Sequence, residues 1–191
     1  LTLHHNQISD AGMIAFANAI GSLVNLTFLG LNQNQIGDEG IKAFSTVISS
    51  GSMPNLISLD LSNNQIGDEG MKAFSTAISS GSLRSLVNLN LGINTISDPG
   101  MIAFSNAIRN GSMGVLKYLS LHQNQIGDAG VVEFSRAIAS GAMGALQRLY
   151  LFSNQIGDAG MISLSEAIGK GSMRNLVLLS LGKNNISDLG M

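Results

Sequence analysis

The sequence predicts an α/β solenoid, a right-handed horseshoe with parallel β-strands on the concave face and α-helices on the convex face. The first observation is a phrase that occurs seven times, and its best copy runs from Asn64 to Met71 (Asn-Gln-Ile-Gly-Asp-Glu-Gly-Met). The second is the spacing of the copies, which is 28 residues once and 30 residues five times, as in a repeat protein. The third is a change of hydrophobic period on either side of each phrase. The other copies begin at Asn6, Asn34, Asn94, Asn124, Asn154 and Asn184.

The segment before each phrase predicts a short strand. It reads Leu-x-x-Leu-x-Leu, as in Leu56, Leu59 and Leu61, and alternation of this kind indicates one buried strand face. The segment after the phrase predicts a helix, because apolar residues recur there at helical spacing, as in Met71, Phe74 and Ile78. Strands and helices that alternate every 30 residues place the strands in parallel, with right-handed crossovers.

The residues of the phrase itself are assigned structural roles. Asn64 lies in the turn that leaves the strand, where its amide can satisfy backbone groups that have lost their sheet partners. Asp68 stands where the N-cap of its own helix is expected. Gly70, which is glycine in all seven copies, is interpreted as a point of close approach between adjacent backbones. The same roles are assigned to the corresponding residues Asn94, Asp98, Asn124, Asp128, Asn154 and Asp158.

Residues 1–191 are predicted to form one continuous array, because each unit of a solenoid packs mainly on its neighbours. The array holds about six and a half repeats. The chain begins within a predicted strand, and Met191 falls where a helix is starting. We therefore expect a segment of a longer protein that lacks both capping units.

Composition excludes several classes of function. The net charge of −2 gives no reason to expect a nucleic acid or an anionic membrane as partner. No apolar run approaches the roughly 20 residues of a membrane-spanning helix, so no membrane insertion is expected. Cysteine is absent, which removes disulfides and thiolate metal sites. With no signal or transmembrane segment visible, the compartment stays open, and an intracellular location is slightly favoured.

The combination of Leu-x-x-Leu-x-Leu-x-x-Asn-x-Ile, then Gly-Asp-x-Gly and a full helix, resembles the ribonuclease-inhibitor-like leucine-rich repeats. Repeats of this class also occur in NOD-like receptors, tropomodulins and Ran GTPase-activating proteins. The resemblance covers the whole chain and implies the solenoid fold. It implies little about function, since the matching residues are the structural ones. The chain departs from ribonuclease inhibitor in having Asn at every turn position, where that protein often has Cys.

No catalytic constellation is visible in the sequence, so we predict that the protein is not an enzyme and uses no cofactor. Serines are plentiful, yet none is placed by the sequence beside a histidine and an acid. His4 and His122 fall on strands four apart, roughly 19 Å at about 4.8 Å per strand, which is too far to share a metal ion. No metal site is expected.

The outward positions of the predicted strands carry the candidate binding site. Both tyrosines of the chain lie there on neighbouring strands, together with an arginine, a histidine and a phenylalanine. Aromatic and arginine residues dominate the energy of many protein interfaces, so we predict another protein as the partner. The alternative is that these aromatic pairs only stabilise the sheet. The concave patch consists of Tyr118, Ser120, His122, Arg148, Tyr150 and Phe152.

Three functions stay open at this point. The first is a protein-binding or scaffold module that uses the concave patch. The second is a GTPase activator, which the resemblance to the Ran-directed proteins suggests, although the acidic tail of those proteins has no counterpart here. The third is a structural subunit of a large complex, which a charged fraction of only 12% would suit.

Overall fold

The computed structural model describes residues 1–190, and Met191 lies outside the described residues. Six helices alternate with six three-residue strands, and a short 3₁₀ helix follows the last strand. The predicted α/β solenoid is therefore confirmed. The elements are α1 (Asp10–Ile20), β1 (Phe28–Gly30), α2 (Asp38–Ser49), β2 (Ser58–Asp60), α3 (Asp68–Ser79), β3 (Asn88–Asn90), α4 (Asp98–Ile108), β4 (Tyr118–Ser120), α5 (Asp128–Ala139), β5 (Arg148–Tyr150), α6 (Asp158–Gly169), β6 (Leu178–Ser180) and the 3₁₀ helix (Asp188–Gly190).

The strands form one parallel sheet in the order of the sequence, from β1 to β6. Equivalent residues of successive repeats are direct partners, as in the pairing of Leu119 with Leu149. The central leucine of each strand points toward the helices, and from β1 to β5 it is buried. The two flanking residues therefore point to the opposite side of the sheet, which we call the concave face.

The core lies between the sheet and the helices and runs the length of the array. Phe44, Phe74, Phe104 and Phe134 fill it from the helix side and are fully buried. The strand leucines and the isoleucine of each phrase complete it. This continuity explains why the repeats stabilise one another, since no single repeat encloses its own apolar residues.

The asparagine of the phrase links adjacent repeats through its side-chain amide. Asn94 donates through Nδ2 to the carbonyl oxygen of Leu91 in its own repeat and to that of Leu61 in the preceding repeat, both at 3.1 Å. Its Oδ1 accepts from the backbone N–H of Ile66, also in the preceding repeat, at 3.0 Å. Buried backbone groups that the turn leaves without sheet partners are satisfied in this way. Asn64, Asn124 and Asn154 make the same type of bonds.

The predicted role of Asp68 as the N-cap of its own helix is wrong. Asp68 is the first residue of α3, Gly67 occupies the N-cap position, and no side chain caps α3 from that position. The Asp68 carboxylate instead caps α4, the helix of the next repeat. Its Oδ1 accepts from the backbone N–H groups of Ser97 at 2.8 Å and Gly100 at 3.0 Å. Carboxylates are favoured at this site because a helix N-terminus carries unpaired N–H groups and partial positive charge.

The same correction applies to the equivalent aspartates. Asp98 accepts from the first-turn amides of α5, and Asp128 accepts from those of α6, at 2.7 and 2.9 Å in each case. Asp158 accepts from the backbone N–H of Ser187 at 2.7 Å and from its hydroxyl at 2.6 Å. The aspartates therefore stabilise the contact between repeats as well as the helix ends.

The capping carboxylates explain why the phrase has glycine at the position of Gly70. A Cβ atom at Gly70 would lie 2.6 Å from Oδ1 of Asp38 and 3.1 Å from the Asp38 Cα atom. Gly70 therefore marks a close approach between repeats, as interpreted from its invariance, and the nearest group is the capping carboxylate. Any side chain at this position would have to displace that carboxylate from the helix end.

Candidate functional site

Strand register brings the outward side chains together in columns across the concave face. Tyr118 of β4 is the direct partner of Arg148 of β5, and Ser120 is the direct partner of Tyr150. His122 and Phe152 occupy the next outward position after each strand. All six residues of the concave patch therefore lie on two adjacent repeats and on one face of the sheet.

Aromatic contacts hold the concave patch in one arrangement. The rings of Tyr118 and Tyr150 have centroids 5.3 Å apart. The rings of His122 and Phe152 are stacked with centroids 4.6 Å apart, and Tyr150 meets Phe152 edge-on at 6.5 Å. All four rings are only partly buried, so each still presents surface to a partner. Rings fixed in this way lose little side-chain entropy when a partner binds.

The ring of His122 lies over Gly92 of the preceding repeat, which has no side chain. A Cβ atom at Gly92 would collide with the His122 ring, so only glycine at position 92 leaves room for the ring. His122 Nδ1 also lies 2.7 Å from the hydroxyl oxygen of Ser120, which is 1% exposed. Partial burial lowers the pKa of His122 below its usual 6.5, so the ring is neutral at pH 7.

Arg148 is the exposed charged residue of the concave patch. Among the described residues, no carboxylate lies within 4.0 Å of its guanidinium. Its strand partner Tyr118 is half-buried, and that burial raises the pKa of the phenol above its usual 10.0. Tyr118 therefore offers a neutral hydroxyl group on the strand next to Arg148.

A groove continues the concave patch toward the first repeats. It has a volume of about 250 Å³ and is open to solvent. Phe28 closes one end and Tyr118 the other, and Asp60, Asn88 and Asn90 line the stretch between them. Strand alternation does not predict this groove, because its shape depends on how large and small side chains alternate between neighbouring strands.

Ser120 and His122 form a Ser–His pair, but the serine hydroxyl is buried and no carboxylate hydrogen-bonds to the imidazole in the described part of the chain. A nucleophile needs both an approach path for substrate and an oriented base. Within residues 1–190, no group of three or more His, Asp or Glu side chains is placed to hold a metal ion. The helices of that part are also all too short or too polar to cross a membrane.

Six segments of the chain match the family described as Leucine Rich repeat. They are residues 1–17, 22–45, 52–75, 82–105, 115–135 and 146–165, which together make up more than half of the chain. The chain belongs to the leucine-rich repeat family. The ribonuclease-inhibitor-like subtype stays a prediction.

Two solved structures show the same repeat fold at low sequence identity. Leiomodin-1 Actin-Binding Site 2 is 17% identical with a TM-score of 0.64, and the match covers 85% of this chain and 88% of that one. The plant peptide hormone receptor RGFR1, solved in complex with RGF2, is 20% identical with a TM-score of 0.50. That match covers 97% of this chain and 28% of the receptor. No curated protein matches the sequence.

Proposed function

We propose that this leucine-rich repeat chain is a non-catalytic module that binds a protein partner on its concave face. The contact residues are those of the concave patch, Tyr118, Ser120, His122, Arg148, Tyr150 and Phe152. The observation that carries the proposal is the pre-ordered cluster of aromatic rings around an exposed arginine that has no ion-pair partner among the described residues. Such clusters supply most of the binding energy in protein interfaces.

The rest of the fold does not require this cluster. The equivalent outward positions in β2 and β3 hold Ser58, Asp60, Asn88 and Asn90, and the sheet keeps the same register there. Cross-strand aromatic pairs contribute only about 0.2–1 kcal/mol of stability each. The pairing of β2 with β3 forms without any such pair. The two structural neighbours are an actin-binding site and a peptide hormone receptor in complex with RGF2, so the same fold holds protein or peptide ligands in those cases.

The test compares the wild-type chain with Tyr150→Ala and Phe152→Ala as baits in quantitative affinity purification from the source cell. We expect a partner whose recovery falls at least tenfold with either variant, because truncating a central aromatic anchor costs about 2 kcal/mol or more of binding energy. Thr76→Ala is the matched control, since Thr76 is exposed on the convex helix α3.

Chemical denaturation of the same variants separates binding from stability. Each variant should lose less than about 1 kcal/mol of unfolding free energy, because the rings are only partly buried. A loss of more than about 2 kcal/mol, with partner recovery unchanged, would show that the rings serve the sheet instead.

A further inference from the structure

Two formal charges of opposite sign stand on the outward strand positions of the concave face. They are Asp60 on β2 and Arg148 on β5, and their strands are separated by β3 and β4. All other outward positions from β1 to β6 carry neutral residues. In the described part of the chain, neither charge has an ion-pair partner within 4.0 Å.

The two charged side chains differ in how they are held. Asp60 Oδ1 accepts from the backbone N–H and the hydroxyl of Ser62, at 3.0 and 2.7 Å, which fixes the carboxylate at the sheet surface. Its second oxygen accepts no hydrogen bond from the described residues. Arg148 is exposed and reaches from a strand whose neighbour carries Tyr118. The Asp60 carboxylate is therefore fixed in position, and neither charge is neutralised by an ion pair among the described residues.

The groove runs from Phe28 on β1 to Tyr118 on β4 and therefore overlaps the space between these two charges. Asp60 belongs to its lining, and Tyr118 at its far end is the strand partner of Arg148. Asn88 and Asn90 on the intervening strand β3 present amide groups, which suit the polar backbone of a peptide. The ring of Phe28 gives the groove an apolar wall.

The spacing of the charges sets the length of the segment that fits. Three strand spacings of about 4.8 Å and two residues of about 3.3 Å along the strand put the two positions about 16 Å apart. In an extended peptide, residues i and i+4 lie on the same side and about 13 Å apart. The long side chain of Arg148 covers the remaining distance.

We infer that the concave face takes an extended peptide segment of the partner that crosses the strands. A basic residue of this segment pairs with Asp60, and an acidic residue four positions away pairs with Arg148. The residue midway between them lies on the same side of the peptide and enters the end of the groove formed by Asn90 and Tyr118. This inference rests on the proposed function and specifies its ligand chemistry.

The experiment selects peptides from a phage-displayed library of random 12-residue sequences on the immobilised chain. A second selection uses the charge-swapped double variant Asp60→Arg/Arg148→Asp. We expect wild-type selections to enrich a Lys or Arg and an Asp or Glu four residues apart, in one fixed order. The charge-swapped variant should enrich the same spacing in the opposite order.

Fluorescence anisotropy then measures the enriched wild-type peptide against each protein. Its affinity should fall at least tenfold for the charge-swapped variant and stay unchanged for Arg174→Asp, which reverses an exposed charge in the loop that precedes β6. Thermal melts of the variants check that they remain folded. A peptide with its two charges exchanged should bind the charge-swapped variant better than the wild type.

The possible failures point to different conclusions. Enriched peptides that lack the charge spacing, yet lose binding with Tyr150→Ala, would overturn this inference and leave the concave site intact. Peptides that bind equally to the wild type, the charge-swapped variant and Tyr150→Ala would overturn the proposed function as well. Failure to enrich any peptide on the folded wild-type chain would also count against both.

Discussion

Removing one aspartate of the repeated phrase should weaken the helix of the next repeat rather than its own. In Asp68→Ala, the backbone N–H groups of Ser97 and Gly100 lose their acceptor, and the Ser97 hydroxyl loses Oδ2 at 2.6 Å. A hydrogen bond to a charged group contributes about 1.5–3 kcal/mol, and an N-cap substitution costs about 0.5–2 kcal/mol. Since the site is only partly buried and water replaces some of these bonds, we expect a loss of about 2–4 kcal/mol.

The assay combines chemical denaturation with amide hydrogen exchange. Denaturation gives the total loss, and exchange shows which helix end has opened. We expect faster exchange at the amides of Ser97 and Gly100, at the start of α4. The amides of Gly67 and Met71 at the start of α3, which donate to Asp38 and to the carbonyl oxygen of Gly67, should keep their protection. Asp68→Asn serves as the control, because it retains the acceptor Oδ1 and should cost only about 1 kcal/mol.

The opposite exchange pattern would refute the capping assignment. If Gly67 and Met71 exchanged faster while Ser97 and Gly100 did not, Asp68 would be the cap of its own helix. A loss below about 0.5 kcal/mol for Asp68→Ala would show that the carboxylate contributes little to the contact between repeats.

Four further predictions concern single positions. Gly100→Ala should lower the unfolding free energy by more than about 2 kcal/mol, because the new Cβ would lie 2.6 Å from the facing carboxylate oxygen. By contrast, Gly169→Ala at an open helical site should be neutral or stabilise by up to about 1 kcal/mol, and denaturant titration of both tests this. Ile93→Asn should stabilise the fold by about 1 kcal/mol, since Ile93 has φ +55° and is 38% exposed; thermal melts showing a lower midpoint would contradict this. Hydrogen bonds from Ser187 lower the pKa of Asp158 below its usual 3.8. The ionised carboxylate therefore stabilises the folded state above pH 3.8, and this stabilisation is lost as the pH falls through the lowered pKa. NMR titration should show the Asp158 pKa rising in Ser187→Ala, and an unchanged pKa would contradict the assigned cause.

Ile93 occupies a backbone position that is unfavourable for isoleucine. The residue before the asparagine of the phrase has positive φ in all seven repeats, and six of these seven residues are polar or histidine. Isoleucine at this position is costly because its branched Cβ crowds the backbone in the left-handed region. The sequence shows which residue differs, but only the backbone angle shows that the difference carries strain.

The concave patch was predictable because strand alternation fixes which residues point outward. Once the period of the repeat was known, Tyr118, Arg148, Tyr150 and Phe152 had to fall on one side of adjacent strands. What the period does not give is the shape of that surface. The stacking of His122 on Phe152 and the room left for His122 by Gly92 depend on side-chain packing between repeats.

The sequence alone determined the repeat, the parallel sheet, the buried leucines and the outward residues of each strand, because all of these follow from the hydrophobic period of the chain. Only the tertiary structure decided which helix each aspartate serves. Every copy of this aspartate stands at the same place in its repeat, directly at the start of the helix that follows it in the chain. The spacing therefore does not show whether Asp68 caps that helix or the helix of the next repeat. Packing of the repeats brings its carboxylate to the N–H groups of Ser97 and Gly100, which lie 29 and 32 residues away along the chain.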